Sequence, residues 1–287
     1  MGDPIQVGEA STVLASLWEE DADVWQTRWA PVFREFAEEV VRRADLKASE
    51  WVLDIGTGTG TVARLAAAKV GPEGKVVGID RSAAMLRRAR QEAAAEQSPS
   101  KALQMDVGAL EFPDDWFHAA LSNDGVPYLG MREALQEVRR VLRAGGRFLF
   151  SEWATDKVAA VRIFEDVFAQ HKTQNPSARL RRLRDAIAVW IQASERLGER
   201  EGFEQALKDG GFRQVRGETI SHSISRFTLE DFLEARLSRA VAKLEYSEMT
   251  AVAREQFDRA VRDALAHLNP YGKFEILGPV FYVSAVK

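Results

Sequence analysis

The chain has 287 residues, enough for one large domain or for a domain that carries a substantial insertion. Its formal net charge is −4, whereas proteins that bind DNA or RNA usually carry a basic excess, so nucleic acid is not the expected partner. It contains no cysteine, which excludes disulfides, thiolate metal sites and cysteine nucleophiles.

Targeting signals are absent from the regions where they would be expected. No apolar run approaches the roughly 20 residues that a membrane-spanning helix needs. Residues 1–4 lack the basic and apolar regions of a secretory signal, and Gln6 stands where a myristoylation motif has Ser or Thr. We therefore expect a cytoplasmic protein without membrane insertion, either a monomer or a homodimer.

Hydrophobic periodicity predicts alternating strands and helices. Residues 9–47 are predicted to be helical, with Pro31 in a first helical turn. Strands are predicted at 51–55, 75–80, 102–105, 119–122, 147–151, 212–220 and 274–286, and helices at 61–70, 82–96, 131–142, 157–172, 178–197, 202–209 and 228–268. Strands separated by helices at this spacing predict an α/β fold with a doubly wound, mostly parallel seven-stranded sheet that has helices on both faces.

The most informative segment is VLDIGTGTG at 52–60, where a strand ends in an acid and enters a helix through three alternating glycines. Glycine lets the backbone bend tightly and lets a ligand approach without a Cβ in the way. The spacing differs from the dinucleotide fingerprint G-x-G-x-x-G, because Thr61 stands where the third glycine of that motif would be.

Two further acids follow the next strands. Asp80 ends the second strand, where a carboxylate can accept both hydroxyl protons of a ribose. Asp106 follows the third strand, near Val107 and Met85, which offer apolar contact to a ring. Each acid taken alone also fits a helix cap, but together the three mark one edge of the sheet as a binding site.

VLDIGTGTG at 52–60, VVGID at 76–80, Asp106-Val107 and RVLRAGGR at 140–147 resemble the class I methyltransferases that depend on S-adenosylmethionine (SAM). The likeness is to the small-molecule branch that includes the ubiquinone and menaquinone biosynthesis enzymes, and it covers about residues 30–153. The chain departs from the family pattern at Thr57, where many relatives carry Cys, and at His118, where relatives often have Asp.

The resemblance implies that SAM is converted to S-adenosylhomocysteine (SAH), with Asp54 and the glycine turn on the methionine end, Asp80 on the ribose and Asp106 on the adenine. The implied cofactor residues are Asp54, Gly56, Thr57, Gly58, Gly60, Asp80, Arg81, Met85, Asp106, Val107, Ser122 and Asn123. We expect a single domain with a helical cap at 1–48, a cofactor-binding half at 49–153, and helical insertions at 154–200 and 226–270 that form a lid.

Candidate acceptor contacts surround this half of the chain. They are Trp25, Trp29, Asn123, Tyr128, Glu152 and Trp153, with Trp18 as a further residue that either covers the cofactor or packs in a core. His222 is the candidate general base, with an ordinary polar loop residue as the alternative. The histidines are dispersed, so we expect no metal site.

Two features of the late helices favour structural roles. The basic cluster Arg179, Arg181, Arg182 and Arg184 is interpreted as a solvated helix face rather than a site for RNA or an anionic acceptor. A second group, Phe257, Val261, Leu265 and Leu268, recurs at helical spacing and predicts the core of the lid.

The expected function is methyl transfer from SAM to a small hydrophobic or aromatic molecule, on oxygen, nitrogen or carbon. Three alternatives stay open: a nicotinamide-dependent oxidoreductase on a similar sheet, a non-catalytic SAM-binding partner protein, and an enzyme that uses SAM for other chemistry. Arsenic and cytosine C5 methylation both rest on cysteine, which the chain lacks.

Overall fold

The computed structural model describes residues 5–154, 157–268 and 274–287, so residues 1–4, on which part of the targeting expectation rests, lie outside the described residues. The strands are β1 (Trp51–Ile55), β2 (Lys75–Asp80), β3 (Lys101–Gln104), β4 (Phe117–Asn123), β5 (Leu142–Trp153), β6 (Arg213–Phe227) and β7 (Phe274–Val286). The helices are α1 (Val7–Val24), α2 (Ala30–Arg43), α3 (Thr61–Val70), α4 (Ala83–Ala95), α5 (Met131–Val141), α6 (Ala159–Gln170), α7 (Ala178–Leu197), α8 (Arg200–Asp209), α9 (Leu229–Leu237), α10 (Ala240–Glu248) and α11 (Ala251–Leu265). A π-helical turn, Trp25–Trp29, joins α1 to α2.

The strands form one seven-stranded sheet in the order β3-β2-β1-β4-β5-β7-β6. Strands β1 to β5 pair in parallel. Strand β7 runs antiparallel to β5, because Lys287 N–H bonds to Gly146 O while Ala154 N–H bonds to Pro279 O. The predicted fold class, a mostly parallel doubly wound sheet with helices on both faces, is confirmed.

The central strands are runs of consecutive buried residues, as strands covered on both faces by crossover helices are. Four of the five residues of β1 and four consecutive residues of β4 are buried. Helix α3 begins after Gly60 and ends at Gly71, both at positive φ, and α4 begins at Ser82, whose hydroxyl accepts from Met85 N–H. These local signals explain why the predicted bounds of β1, α3 and β2 are confirmed.

The chain divides into two compact units. The sheet unit comprises Trp18–Glu152, Trp190–Ile220 and Val280–Lys287, and the helical unit comprises Met1–Leu17, Trp153–Val189 and Ser221–Pro279. The prediction that the late helices form a lid stays a prediction, as do the predicted domain boundaries.

The helical unit has an aromatic core of its own. The ring centroids of Phe164 and Phe168 lie 5.3 Å apart, and Phe257 packs on Phe168 at 5.2 Å. Arg184 Nη2 lies 2.6 Å from Oε1 of the buried Glu245. A buried carboxylate needs such a partner, because an unpaired charge in the interior is costly.

Several predictions for the late helices need correction. The stretch 228–268 consists of three helices and a 3₁₀ turn, Ala266–Leu268, because Thr228 and Thr250 each start a new helix as N-caps. Phe257, Val261 and Leu265 are buried as predicted, whereas Leu268 is only half-buried in the 3₁₀ turn. No helix in the described part of the chain is long and apolar enough to cross a membrane.

Candidate functional site

The segment after β1, here called the glycine turn (residues 56–60), has three left-handed residues: Gly56, Gly58 and Gly60 have φ values of +62°, +53° and +85°. Residues with a Cβ rarely adopt this conformation, so the alternating glycines are a backbone requirement. Thr57 N–H bonds to Ile79 O at 2.9 Å, which ties the turn to β2. The turn is thereby fixed at the carboxyl edge of the sheet.

Asp54 lies beneath this turn and is 1% exposed. Its Oδ2 accepts a hydrogen bond from the Thr57 hydroxyl at 2.5 Å, while Oδ1 has no partner among the residues that the structure describes. Burial raises the pKa of Asp54 to about 7, against a smaller lowering by the Thr57 hydroxyl. Thr57, a departure from the family pattern, therefore contributes a side-chain hydrogen bond to Asp54.

A small cleft lies at the carboxyl ends of β1 and β4, which is the switch point of the strand order. Gly58 faces this cleft: a Cβ on Gly58 would lie 3.8 Å from Trp25 Nε1. The Thr59 hydroxyl oxygen is buried without a partner in the described residues. The cleft is lined by Trp25, Ala30, Phe33, Asp54, Gly56, Thr57, Gly58, Thr59, Thr61, Val62 and Asn123.

Asp80 connects the glycine turn to α4. One carboxylate oxygen accepts from Gly58 N–H at 2.9 Å and the other from Ser82 N–H at 2.9 Å. Burial raises the pKa of Asp80, and these backbone donors oppose the shift. An ionised carboxylate has about four acceptor positions, so these bonds leave capacity for a ligand hydroxyl.

The remaining residues predicted for the cofactor lie around the start of α4. Asp106 is exposed, and its Oδ1 accepts from Gly108 N–H at 2.8 Å while its Oδ2 lies 3.5 Å from Arg81 Nε. Val107 is half-buried. Met85 is only 2% exposed because it packs with Trp18 and Trp25.

The N-terminal helices contribute more to this region than the sequence indicated. Trp18 and Trp25 pack edge to face at 5.4 Å. The Glu19 carboxylate accepts from the N–H groups of Ala83 and Ala84, at 2.6 and 3.0 Å, and so caps α4 from a distant segment. Trp29, which was predicted as an acceptor contact, is buried, with only 6% of its surface exposed.

On the other side of the cleft, β4 ends in two residues whose polar groups bond to the protein itself. The Ser122 hydroxyl donates to Ile55 O at 2.9 Å. Asn123 accepts from the Ser151 hydroxyl at 2.7 Å and donates to Phe33 O at 3.3 Å. Asn123 lines the cleft, and its amide joins α2 to the sheet.

Next to Asn123 lies what we call the acid pair, Asp124 and Glu152. Strands β4 and β5 are in register at Asn123 and Ser151, and Asp124 N–H bonds to Ser151 O at 2.8 Å. Glu152 is 3% exposed, and its Oε2 accepts from the Tyr128 hydroxyl at 3.1 Å. Burial raises the pKa of Glu152 well above its ordinary value, and the Asp124 carboxylate raises it further.

Two glycines join the acid pair to the glycine turn. Asp124 has φ +56° and is followed by Gly125. A Cβ on Gly56 would lie 2.8 Å from Gly125 Cα, so the two backbones are in direct contact. The contact of Gly125 with Gly56 was not predicted from the sequence, because no local motif marks a contact between segments 69 residues apart.

His118, a departure from the family pattern, and His222, the predicted base, have different outcomes. His118 is structural: its Nδ1 accepts from Trp51 N–H at 2.9 Å, and its Nε2 lies 2.9 Å from Arg143. His222 lies within β6, not after the strand as predicted, because β6 continues to Phe227. Its role as a base stays a prediction, as does acceptor contact by Trp153, which is 8% exposed at the end of β5.

The basic cluster on α7 is largely paired within the protein. Arg181 donates to Pro176 O, Arg182 lies 2.8 Å from Glu9, and Arg184 pairs with Glu245. These contacts favour the interpretation of the cluster as a structural and solvated face.

The residues of the cleft fit a ligand with a cationic amine end. A buried carboxylate oxygen of Asp54 and the buried hydroxyl of Thr59 have no partner in the described part of the protein, and burying a polar group without a partner is unfavourable. Gly58 leaves space that a Cβ would reduce. Asp54, Thr59 and the glycine turn would therefore hold the methionine end of SAM.

Comparison with known proteins identifies the family of the chain. A family model described as a methyltransferase domain matches residues 52–146. The ubiquinone/menaquinone biosynthesis C-methyltransferase of Zymomonas mobilis is 30% identical over 190 residues, which cover 65% of this chain and 77% of that protein. The demethylmenaquinone methyltransferase of Symbiobacterium thermophilum is 35% identical over 130 residues, which cover 44% of this chain and 49% of that one.

Solved structures with a similar fold also include a SAM-dependent methyltransferase. A SAM-dependent methyltransferase from Aquifex aeolicus superimposes with a TM-score of 0.52 at 15% identity, covering 92% of this chain and 96% of that one. At this identity the likeness concerns the fold alone, whereas the sequence matches concern the family. The chain therefore belongs to the class I SAM-dependent methyltransferases, which are enzymes that use SAM as the methyl donor.

Proposed function

We propose that this enzyme transfers the methyl group of SAM to a small apolar or aromatic molecule, on an oxygen, nitrogen or carbon atom. The observation that carries the proposal is the cleft at the β1–β4 switch point, where Asp54 Oδ1 and Thr59 Oγ1 have no partner among the described residues and Gly58 leaves open space. When bound, SAM supplies a methyl group activated by a positively charged sulfur.

The protein would contribute binding, alignment and exclusion of water. Asp54 carries its negative charge above about pH 7, which suits an ammonium group. Asp80 is proposed to accept from the ribose hydroxyls. Trp25 and Phe33 give the cleft an apolar wall, with ring centroids 4.9 Å apart. Much of the rate of a methyl transfer can come from such alignment in a site closed to water.

Support for an aromatic acceptor comes from the other side of the sheet edge. Tyr128 packs edge to face against Trp190 at 5.2 Å and Phe203 at 5.8 Å, and Trp190 is 39% exposed. Aromatic rings pack favourably on such surfaces. Two of the relatives are named for quinone biosynthesis, so hydroquinones are the first acceptors to test.

The test is calorimetric titration of the purified protein with SAM, SAH and NAD in parallel. We expect micromolar binding of SAM and SAH, and at least a tenfold loss in Asp80→Ala. Binding of NAD alone would overturn the proposal in favour of an oxidoreductase. Binding of SAM without methyl transfer to any small acceptor would instead favour the non-catalytic SAM-binding protein.

A further inference from the structure

The acid pair is not needed to explain how the cofactor is held. Asp124 follows β4, and Glu152 lies near the end of the adjacent parallel strand β5, on the side of the cleft away from Asp80. Two carboxyl groups this close cannot both ionise readily, because like charges repel and burial disfavours charge. The pair is therefore built to keep a proton.

Glu152 has one oxygen with a partner and one without. Oε2 accepts from the Tyr128 hydroxyl at 3.1 Å, whereas Oε1 is buried and has no partner in the described residues. Burial and the Asp124 carboxylate both raise the pKa of Glu152 well above its ordinary value, which favours the neutral carboxyl group. A neutral carboxyl group can donate a hydrogen bond, which a carboxylate cannot.

The acid pair lies beside residues that line or support the cleft. Asn123, next to Asp124, lines the cleft, and Gly125, the following residue, touches Gly56 of the glycine turn. The segment is thus held against the backbone that binds the cofactor. Tyr128, which fixes Glu152, is packed between aromatic side chains from α7 and α8.

We propose that Glu152 is a neutral hydrogen-bond donor to an oxygen atom of the methyl acceptor, and that the acceptor is therefore a ring compound with a phenolic, enolic or carbonyl oxygen. This inference rests on the proposed methyl transfer. Tyr128 and Asp124 are positioning residues: one orients the carboxyl group and the other keeps it protonated. Glu152 keeps its proton, so it is not the general base.

The pH dependence follows from the groups that act on Glu152. Asp124 raises its pKa, and Tyr128 and the Val126 N–H lower it; the neighbouring Trp190 and Phe203 carry no charge. Glu152 is neutral below its pKa, so activity should fall on the alkaline side as it ionises. Asp124→Asn removes a group that raises this pKa, so that alkaline limb should move to lower pH.

The first experiment compares Glu152→Gln with Glu152→Ala in methyl transfer to a hydroquinone and to the matched aniline. Gln keeps a neutral donor, so we expect a loss in kcat/KM of less than about tenfold and no alkaline limb, whereas Ala should lose about 10- to 100-fold with the hydroquinone. An equal loss in both variants would mean that Glu152 acts as a base and would overturn the proposal, as would preference for the aniline.

A second measurement does not depend on turnover. In infrared difference spectra between the wild type and Glu152→Gln at pH 7, the wild type should show the C=O band of a protonated carboxyl group. A carboxylate band in its place would overturn the proposal even if methyl transfer is observed. If no acceptor is methylated although the protonated band is present, the proposed function fails while the ionisation state of Glu152 stands.

Discussion

The two halves of the sheet edge use buried acids in opposite ways. On the β1–β2 side, Asp80 accepts from backbone N–H groups and Asp54 from a hydroxyl three residues away. On the β4–β5 side, the acid pair is assembled from two strands, and Tyr128 supplies the donor to Glu152. The donors of the first arrangement oppose the rise in pKa that burial causes, whereas in the second arrangement the Asp124 carboxylate adds to that rise.

With the roles proposed above, the difference separates binding of a constant cofactor from binding of a variable acceptor. The cofactor side depends on backbone geometry within a few residues of Gly58. The acid pair depends on side chains from β5 and the segment after β4. Substitutions on the second side can therefore change specificity while the cofactor site is kept.

The largest effect should come from Gly56→Ala, because it disturbs the contact that the two sides share. The new Cβ would lie 2.8 Å from Gly125 Cα, and the residue has φ +62°. We expect destabilisation by about 2–4 kcal/mol together with loss of cofactor binding. Chemical denaturation measures this, with Gly71→Ala as the control, since Gly71 has φ +72° and nothing within 4 Å. Equal destabilisation of the two variants would show that the contact is not critical.

Gly58→Val should break the cofactor side alone. Its side chain would enter the cleft beside Trp25, and we expect SAM affinity to fall about 100-fold. Gly145→Val is the matched control, because Gly145 has φ +75° with open space around it. Calorimetry should show near-normal SAM binding in the control; a similar loss there would assign the effect to backbone strain.

The charge of Asp54 should make SAM binding depend on pH. Burial raises the pKa of Asp54 to about 7, so the side chain is protonated below that value and only the ionised form attracts a cation. Affinity should therefore rise with pH, by up to about tenfold per unit, between pH 5.5 and 7. Asp54→Asn should show a flat profile by calorimetry over this range; a slope retained in that variant would assign the titration to another group.

The smallest effect is expected for Tyr128→Phe, which tests the hydrogen bond to Glu152 on the acceptor side. Loss of the hydroxyl removes one hydrogen bond to Glu152 and should cost about 1 kcal/mol of stability. Because this hydroxyl lowers the pKa of Glu152, its removal should move the alkaline limb of activity to higher pH. A shift to lower pH would contradict the arrangement.

The cofactor side of the site could be predicted from the sequence better than the acceptor side. The bounds of β1, α3 and β2 and the Ser82 cap were predicted because glycines, caps and apolar runs act within a few residues. The contact of Gly56 with Gly125, and the Tyr128–Glu152 hydrogen bond, join segments that are distant in sequence. A single sequence gives no signal for such pairs.

Some local features also escaped prediction. Strand β6 continues past His222 although its sequence there is polar, because strand length depends on pairing with neighbours. Trp25–Trp29 looks like ordinary helix in sequence, yet it forms a π-helical turn. Such turns place one more residue between successive hydrogen bonds than an α-helix does.

That π-helical turn holds one residue more than a regular α-helical turn. Because the extra residue is absorbed within Trp25–Trp29, removing one residue from 26–28 would let α1 and α2 join as one regular helix while the two helices keep their alignment. The extra residue therefore acts on the side chains of the turn itself, among them Trp25 beside Gly58, and not on the course of the two helices.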